Sequence, residues 1–326
     1  MKSKNNRIEH LDILKGIGII LVVWGHIQSD LTQYIFIFHM PLFFFISGLL
    51  YKPTDNFFPL LKKRINTLLI PFFFFYLLAF FYLLLLSFIN PNTNFNSIIL
   101  LDFIKGKEYF HNIPIWFLWS LFCVNLFYWI ITHFFKKTYV QDVFILIISL
   151  FCIWLGYQKI NIPYFIDTSL SVLLFFHLGY RLRKVPKIMT KNKYDTYISS
   201  FCLFLFLLLI YIYPVPCDIR ENLIKGNFFF FIAECLAAIF GLLYLSKCLS
   251  HSKILTFYGK NSLIIVGTHL IILGIITYIE SSYSITFLSI FYGLPILIII
   301  LVFSIPVIWI LNKYFPFFVS KKRVLF

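Results

Sequence analysis

The stretch KKRINTLLIPFFFFYLLAFFYLLLLSFI, residues 62–89, decides the class of fold. It begins with three basic residues, and from residue 66 it continues as an apolar run without a charged side chain. A helix over that run is long enough to cross a hydrocarbon layer about 30 Å thick. We therefore predict a transmembrane helix over residues 66–89, with its basic end at one membrane surface.

Comparable runs recur along the chain, and the composition agrees with them. The 326 residues are 60% hydrophobic and 13% charged, with a mean hydropathy of +0.89, whereas an ordinary soluble domain has about a quarter charged residues. The other predicted spans are residues 11–29, 34–51, 114–135, 139–157, 163–183, 196–213, 227–249, 260–279 and 286–312. The predicted fold class is an all-α integral membrane protein, a bundle of about ten transmembrane helices.

The distribution of basic residues predicts how this bundle is oriented. A net charge of +15 would suggest a nucleic-acid partner for a soluble protein, but in a membrane protein Lys and Arg are retained on the cytoplasmic side. With a cytoplasmic N-terminus, 23 of the 28 basic residues fall in cytoplasmic segments. The outer side keeps only Lys105, Lys107, Lys159, Arg220 and Lys225. We predict that both termini are cytoplasmic, that the protein's partner is the lipid bilayer that surrounds it, and that no nucleic acid is bound.

The first predicted helix has three polar residues on one face. Lys15 and His26 are eleven residues apart. In a helix this is a rotation of about 1100°, which differs from three whole turns by about 20°, so the two side chains share one face. Asp12 lies on the same stripe. Taken singly, Lys15 and Asp12 are typical of an ion pair at the membrane interface, and His26 of a hydrogen-bonded packing residue.

Further polar residues inside predicted helices favour a functional interpretation, because such groups are costly in a bilayer. They are His39 and Ser47 in the second helix, Glu234 in the eighth, and Ser262 and His269 in the ninth. The imidazoles lie in the middle or outer part of the membrane and suit proton abstraction near neutral pH. Cations at the cytoplasmic boundary suit an anionic, phosphate-bearing ligand, or follow simply from the positive-inside bias. These cations are Lys62, Lys63, Arg64, Arg181 and Arg183.

The six cysteines form no CxxC pair and no Cys/His ligand pattern, so we expect small packing residues and no metal. The first apolar run passes through Trp24, Gly25 and His26 without a small-residue cleavage site. We therefore expect a retained helix rather than a signal peptide.

Six segments occur in an order and spacing that match a known family. The first helix has a basic residue, ten further residues and then His, at Lys15 and His26. The others are Phe43–Gly48 ending in Ser-Gly, KKRINTLLIPFF at Lys62–Phe73, IPIWFLWSLF at Ile113–Phe122, FFHLGYRLRK at Phe175–Lys184, and the pattern Gly259, Asn261, Ser262, His269. Over nearly the whole chain this series resembles the acyltransferase-3 family of membrane-bound O-acyltransferases, particularly its sugar and polysaccharide acetyltransferases.

The resemblance implies a single transmembrane acyltransferase domain over residues 1–326, located in a cell membrane, which we expect to be a bacterial plasma membrane. It implies transfer of an acyl group, usually acetyl from acetyl-CoA, to a sugar hydroxyl in a cell-surface glycan or its lipid-linked precursor. Acetyl-CoA is expected as a donor substrate, without a separate cofactor or metal. The implied catalytic set is His26 as general base with Lys15 and Asp12, and the implied donor-binding cations are Arg64, Lys63 and Arg181. Further site candidates are His39, Ser47, Glu234, Ser262 and His269.

Two other classes of protein stay open at this point. A secondary transporter or exporter also places polar residues on spanning helices, where they form proton relays and substrate pathways. A scaffold without catalysis would leave the aligned His, Lys and Ser positions unexplained. The resemblance favours the acyltransferase, and these residues are compatible with direct transfer or with an acyl-enzyme intermediate.

Overall fold

The computed structural model describes residues 8–27, 29–89, 112–283 and 293–320. Its helices are α1 Glu9–Gly25, α2 Thr32–Leu49, α3 Phe57–Arg64, α4 Ile70–Ile89, α5 Trp116–Phe134, α6 Thr138–Tyr157, α7 Ile166–Leu182, α8 Pro186–Met189, α9 Asp195–Ile212, α10 Phe228–Cys248, α11 Lys253–Lys260, α12 Ser262–Tyr283 and α13 Leu294–Tyr314. A π-helical turn, Ile65–Leu69, joins α3 to α4. Two short strands, β1 Cys217–Asp218 and β2 Leu223–Ile224, pair antiparallel between α9 and α10.

The prediction of an all-α, multi-pass membrane protein is confirmed. Within the described residues, eight helical segments are long and apolar enough to cross a membrane. They are Thr32–Leu49, Phe57–Ile89, Ile113–Phe134, Thr138–Tyr157, Asp195–Ile212, Phe228–Cys248, Ser262–Ser282 and Leu294–Tyr314. The two remaining predicted spans are α1 and α7, which have 17 residues each. Both helices bury polar side chains against neighbouring helices, which is how a bilayer tolerates such groups.

The centre of the bundle is formed by α1 and α2. Helix α1 contacts α2 and the four helices α10 to α13, while α2 packs against α7 and α10. Helix α9 lies at the periphery, and its exposed Phe201, Phe204 and Tyr211 form part of an apolar outer face. Such a face suits contact with lipid tails, which are as apolar as the side chains themselves.

Two glycines allow the backbones of α2 and α7 to pack in direct contact. A Cβ atom at Gly48 would overlap the Phe176 carbonyl oxygen, and a Cβ atom at Gly179 would overlap the Phe45 carbonyl oxygen. Both obstacles are backbone atoms, which cannot move aside as a flexible side chain can. The Ser-Gly end of α2 is therefore a point of close helix packing.

Substituting Gly48→Val is expected to destabilise the folded protein by about 1–3 kcal/mol, because the added side chain forces α2 away from α7. Thermal unfolding of the detergent-solubilised protein measures this loss. Ser47→Ala is a matched control at the next position, since it removes only a hydroxyl that donates to the Phe43 carbonyl of the same helix at 2.8 Å. A Gly48→Val protein with the wild-type Tm would contradict the close approach.

Pro41 interrupts the hydrogen bonding of α2 close to the site described below. Proline has no N–H to donate, so the Ile37 carbonyl loses its partner one turn later. The Cys235 thiol of α10 donates to that carbonyl at 3.0 Å, and the Cys217 thiol donates to the neighbouring Phe36 carbonyl at 3.4 Å. The Cys235 thiol therefore satisfies a carbonyl that has lost its helical partner inside a membrane, where no water replaces that partner.

The π-helical turn before α4 has a similar cause. Pro71 cannot donate to the Thr67 carbonyl, and the Ser320 hydroxyl donates to it instead, at 3.0 Å. The Ile70 amide meanwhile bonds to the Ile65 carbonyl, five residues earlier. Arg64 immediately precedes this turn, so its side chain projects from a break in the helix rather than from a regular one.

The ends of several helices that carry basic residues meet at one end of the bundle, which we call the basic end. Arg183, just after α7, donates to the Tyr51 carbonyl just after α2. Asn312 of α13 donates to Asn261 at 3.1 Å, and the end of α11 packs against the Asp12 carbonyl of α1. The start of α1 and the end of α13 thus lie on the same side.

Some of the predictions concern residues outside the described ranges. These are the predicted cytoplasmic Lys2, Lys4, Arg7, Lys321, Lys322 and Arg323, residues 90–111 of one predicted outer loop, and residues 286–292 of the last predicted span.

We expect the basic end to face the cytoplasm, since the positive-inside bias assigns it there. Reporter fusions check this: a fluorescent-protein fusion at the C-terminus should be fluorescent, and an alkaline phosphatase fusion after Asn222 should be active. A phosphatase fusion that is active at the C-terminus would reverse the orientation.

Candidate active site

Three histidines from α2, α12 and the end of α1 share one hydrogen-bonding arrangement. The Nδ1 atoms of His26, His39 and His269 lie 2.8, 2.9 and 2.7 Å from the carbonyl oxygens four residues earlier. A carbonyl oxygen only accepts, so each Nδ1 donates its proton. Each neutral ring therefore presents the lone pair of Nε2, the atom that can take up a proton.

The three rings lie close together around His26. The ring centroids of His26 and His269 are 5.1 Å apart with an interplanar angle of 74°. Phe36 contacts both His26 and His39, with its ring centroid 5.7 Å from that of His26 and 4.9 Å from that of His39. His269 is fully buried, and within the described part of the chain its Nε2 has no hydrogen-bond partner. The structure thus brings together three residues that the sequence analysis proposed from separate helices.

His26 and His39 open onto a cavity of about 190 Å³, which we call the histidine cavity. Its polar lining residues are His26, His39, Asp218 and Arg220, and its aromatic ones are Phe36, Phe43, Trp116 and Phe117. The remaining lining is apolar. A mostly apolar pocket with a few convergent polar groups is the usual form of a small-molecule site.

Asp218 and Arg220 were missed as site candidates by the sequence analysis, in which they fall between the predicted spans 196–213 and 227–249. They belong to the β1–β2 hairpin, in which Cys217 pairs with Ile224. Arg220 did carry a signal, because it is a basic residue retained on the side that the positive-inside rule depletes. Asp218 carried none, since only the hairpin brings it to the cavity.

A second cavity, which we call the basic cavity, lies at the basic end of α1 and α2. Its polar lining residues are Asp12, Lys15, Tyr51, Lys52 and Arg183. Lys15 Nζ donates to Asp12 Oδ1 at 2.8 Å. A phenol is protonated at neutral pH, so the Tyr51 hydroxyl can donate a hydrogen bond. Among the described residues that hydroxyl has no partner, and together with the cations it suits an anionic ligand.

The predicted catalytic set of His26, Lys15 and Asp12 is divided between the two cavities. Lys15 and His26 do share one face of α1, but eleven residues separate them by about 16 Å along the helix axis. The Lys15–Asp12 ion pair therefore cannot touch an atom that contacts His26. A ligand long enough to span both cavities would contact both sets.

The predicted donor-binding cations occupy different surroundings. The Arg64 guanidinium carbon lies 5.6 Å from the centre of the Tyr51 ring, beside the basic cavity. Arg181 is exposed and pairs with a carboxylate of α6 at 3.4 Å, and Lys63 is also exposed. Arg183, two residues after Arg181 and just after the end of α7, lines the basic cavity.

Three further candidates lie outside the lining of the histidine cavity, as far as the described residues define it. Ser47 bonds within α2, as described above. Glu234 is fully buried in α10, beside Val215. Ser262 begins α12 and lies seven residues, or about 10 Å along the axis, from His269. Their roles stay predictions.

The fold and the two cavities define a multi-pass membrane protein with buried imidazole bases at one end and a cationic pocket at the other. A family model described as an acyltransferase domain matches residues 8–313. The chain therefore belongs to the acyltransferase-3 family, and the resemblance drawn from its motifs is confirmed at the level of the family. Neither the curated proteins nor the solved structures gave a match.

Proposed function

We propose that this protein transfers an acyl group, expected to be acetyl, from acyl-CoA to a hydroxyl of a sugar in a cell-surface glycan or its lipid-linked precursor. The observation that carries the proposal is the fixed tautomer of His26, whose Nδ1 is bonded to the backbone and whose ring opens onto a cavity. Family membership supports acyl transfer as the reaction class. Acetyl-CoA and a sugar are the donor and acceptor that we infer.

In this reaction His26 Nε2 takes the proton of the acceptor hydroxyl while the hydroxyl oxygen bonds to the thioester carbonyl carbon. The carbon–sulfur bond then breaks, and the departing thiolate takes the proton from the imidazolium. The products are an ester and free coenzyme A, and His26 returns to its neutral form. We propose that His39 hydrogen-bonds the reacting groups, and its position in the lining of the same cavity supports this role.

The basic cavity is the proposed site of the phosphate-bearing part of the donor. Arg183 and Lys15 line it, and Arg64 lies beside it across Tyr51. Cations bind phosphate by charge-assisted hydrogen bonds. Helices α1 and α2 contribute lining residues to both cavities, which supports the proposal that the flexible arm of coenzyme A runs along these helices from the basic cavity towards His26.

The test uses purified protein in proteoliposomes, radiolabelled acetyl-CoA and a glycan extract from the envelope of the expressing strain. We expect label in an alkali-labile ester and an equal amount of released thiol, both dependent on the extract. An absence of both would overturn the proposed function. Movement of glycan across the vesicle membrane without an acyl donor would instead favour a transporter.

A further inference from the structure

The β1–β2 hairpin forms one wall of the histidine cavity, and two of its charged residues line that wall. We propose that Asp218 and Arg220 form the subsite that recognises the acceptor, by hydrogen bonds to the hydroxyls next to the one that is acylated. This inference rests on the proposed function and deepens it. It assigns acceptor recognition to the hairpin and the proton transfer to His26.

Hydrogen bonds to three helices hold the hairpin in place. The Arg220 carbonyl accepts a hydrogen bond from Thr168 Oγ1 of α7 at 3.1 Å. Asn222 Nδ2 donates to the Cys152 carbonyl of α6 at 2.6 Å. On its other side the hairpin is tied to α2 by the Cys217 thiol. Three helices therefore fix the position of this wall relative to His26 and His39.

Asp218 uses one carboxylate oxygen to shape the turn and leaves the other for a ligand. Its Oδ1 accepts from the N–H groups of Arg220 at 3.0 Å and Glu221 at 3.4 Å. Within the described residues, Oδ2 has no hydrogen-bond partner. A carboxylate oxygen only accepts, so this atom suits a hydroxyl donor of the acceptor.

Arg220 supplies the complementary donors. Its Nη2 lies 3.0 Å from Glu221 Oε1, and this ion pair uses one nitrogen of the guanidinium. A guanidinium has five N–H donors in a planar fork, so others stay available for acceptor oxygens. Because Asp218 and Arg220 carry opposite charges, the wall suits an uncharged, hydroxyl-rich group better than an anionic one.

The remaining walls of the cavity agree with a sugar ring. Phe36, Phe43, Trp116 and Phe117 supply large apolar faces, against which the C–H face of a sugar can pack. A few polar groups in an apolar pocket fix the orientation of a ligand. The aromatic residues would thus hold the ring, while Asp218 and Arg220 select which hydroxyl reaches His26.

The experiment measures the apparent acceptor KM of the full-length protein in proteoliposomes, with the envelope glycan extract varied by dilution. Asp218→Asn keeps an Oδ1 acceptor for the turn and removes the carboxylate, and Arg220→Gln removes the guanidinium. Each variant is expected to raise the apparent acceptor KM about tenfold or more, with an unchanged donor KM. Lys225→Gln is the matched control, because Lys225 is an exposed cation of the same connecting segment, outside the cavity lining.

The outcomes separate the two proposals. If the wild-type protein forms no ester, the proposed function is wrong. If the wild-type protein transfers the label but both hairpin variants keep its acceptor KM within twofold, the acceptor subsite is wrong. A rise in donor KM instead of acceptor KM would also overturn the subsite, because it would assign the hairpin to the donor. A monodisperse size-exclusion profile and a wild-type Tm of the detergent-solubilised protein check that each variant is folded.

Discussion

Replacing His26 by glutamine is expected to lower acyl transfer by about 10²- to 10⁴-fold, the usual contribution of a positioned general base. The amide can still donate to the carbonyl that holds the imidazole in place, so the end of α1 should keep its structure. An amide nitrogen does not take up a proton at neutral pH, and the acceptor hydroxyl then has to react without a base. The fall should therefore appear in kcat, with donor binding close to that of the wild type.

His269→Gln is the informative comparison for this substitution. His269 makes the same backbone bond as His26, but it is fully buried and does not belong to the described lining of the histidine cavity. We expect His269→Gln to keep more activity than His26→Gln. Initial rates of ester formation, at equal amounts of protein that is monodisperse by size-exclusion chromatography, measure both. Retention of more than about a tenth of the activity by His26→Gln would remove it from the role of base, and His39 would take its place.

Arg64→Gln and Arg183→Gln are each expected to raise the apparent KM for acetyl-CoA by roughly 10- to 100-fold, the effect of losing one charge-assisted hydrogen bond to a phosphate. Such a contact is made in both the ground state and the transition state, so kcat should change little. Arg64 lies against the Tyr51 ring, and Arg183 lines the basic cavity. Both therefore lie where the phosphates of coenzyme A are proposed to bind.

Arg181→Gln separates this arrangement from the one that the sequence analysis predicted. Arg181 is exposed and pairs with Asp142, so the structure favours a near-normal donor KM for this variant. The sequence analysis instead included Arg181 among the donor-binding cations. Steady-state titration of acetyl-CoA at saturating acceptor decides between the two. A raised donor KM for Arg181→Gln together with wild-type values for Arg64→Gln and Arg183→Gln would move the donor away from the basic cavity.

Sequence reasoning was sufficient for the class of the protein and for most of its helices. Hydropathy and length are local properties, and the bilayer imposes both on every spanning helix. The predicted runs therefore correspond to helices of the structure, α1 and α7 included. The family also followed from residues that are near each other in sequence, such as Lys15 and His26.

The composition of the cavities could not be read from local pattern. Asp218 meets His26 and His39 because the hairpin docks on α2, α6 and α7 through residues far apart in the chain. The same holds for the meeting of His26 and His269, which are separated by most of the sequence. Helix periodicity gives the face of a helix on which a residue lies, but not the neighbour that this face contacts.

The choice between Arg181 and Arg183 shows what the sequence determined by itself and what only the tertiary structure decided. The sequence determined that two cations end α7 at a membrane boundary, and two residues in a helix differ by about 200° in direction. Which one points inward depends on the rotation of α7 about its axis. Gly179 sets that rotation, because it packs against the Phe45 carbonyl of α2. Arg183 lies one turn after Gly179, on the same face, and so it reaches Tyr51 at the end of α2, while Arg181 points away towards α6.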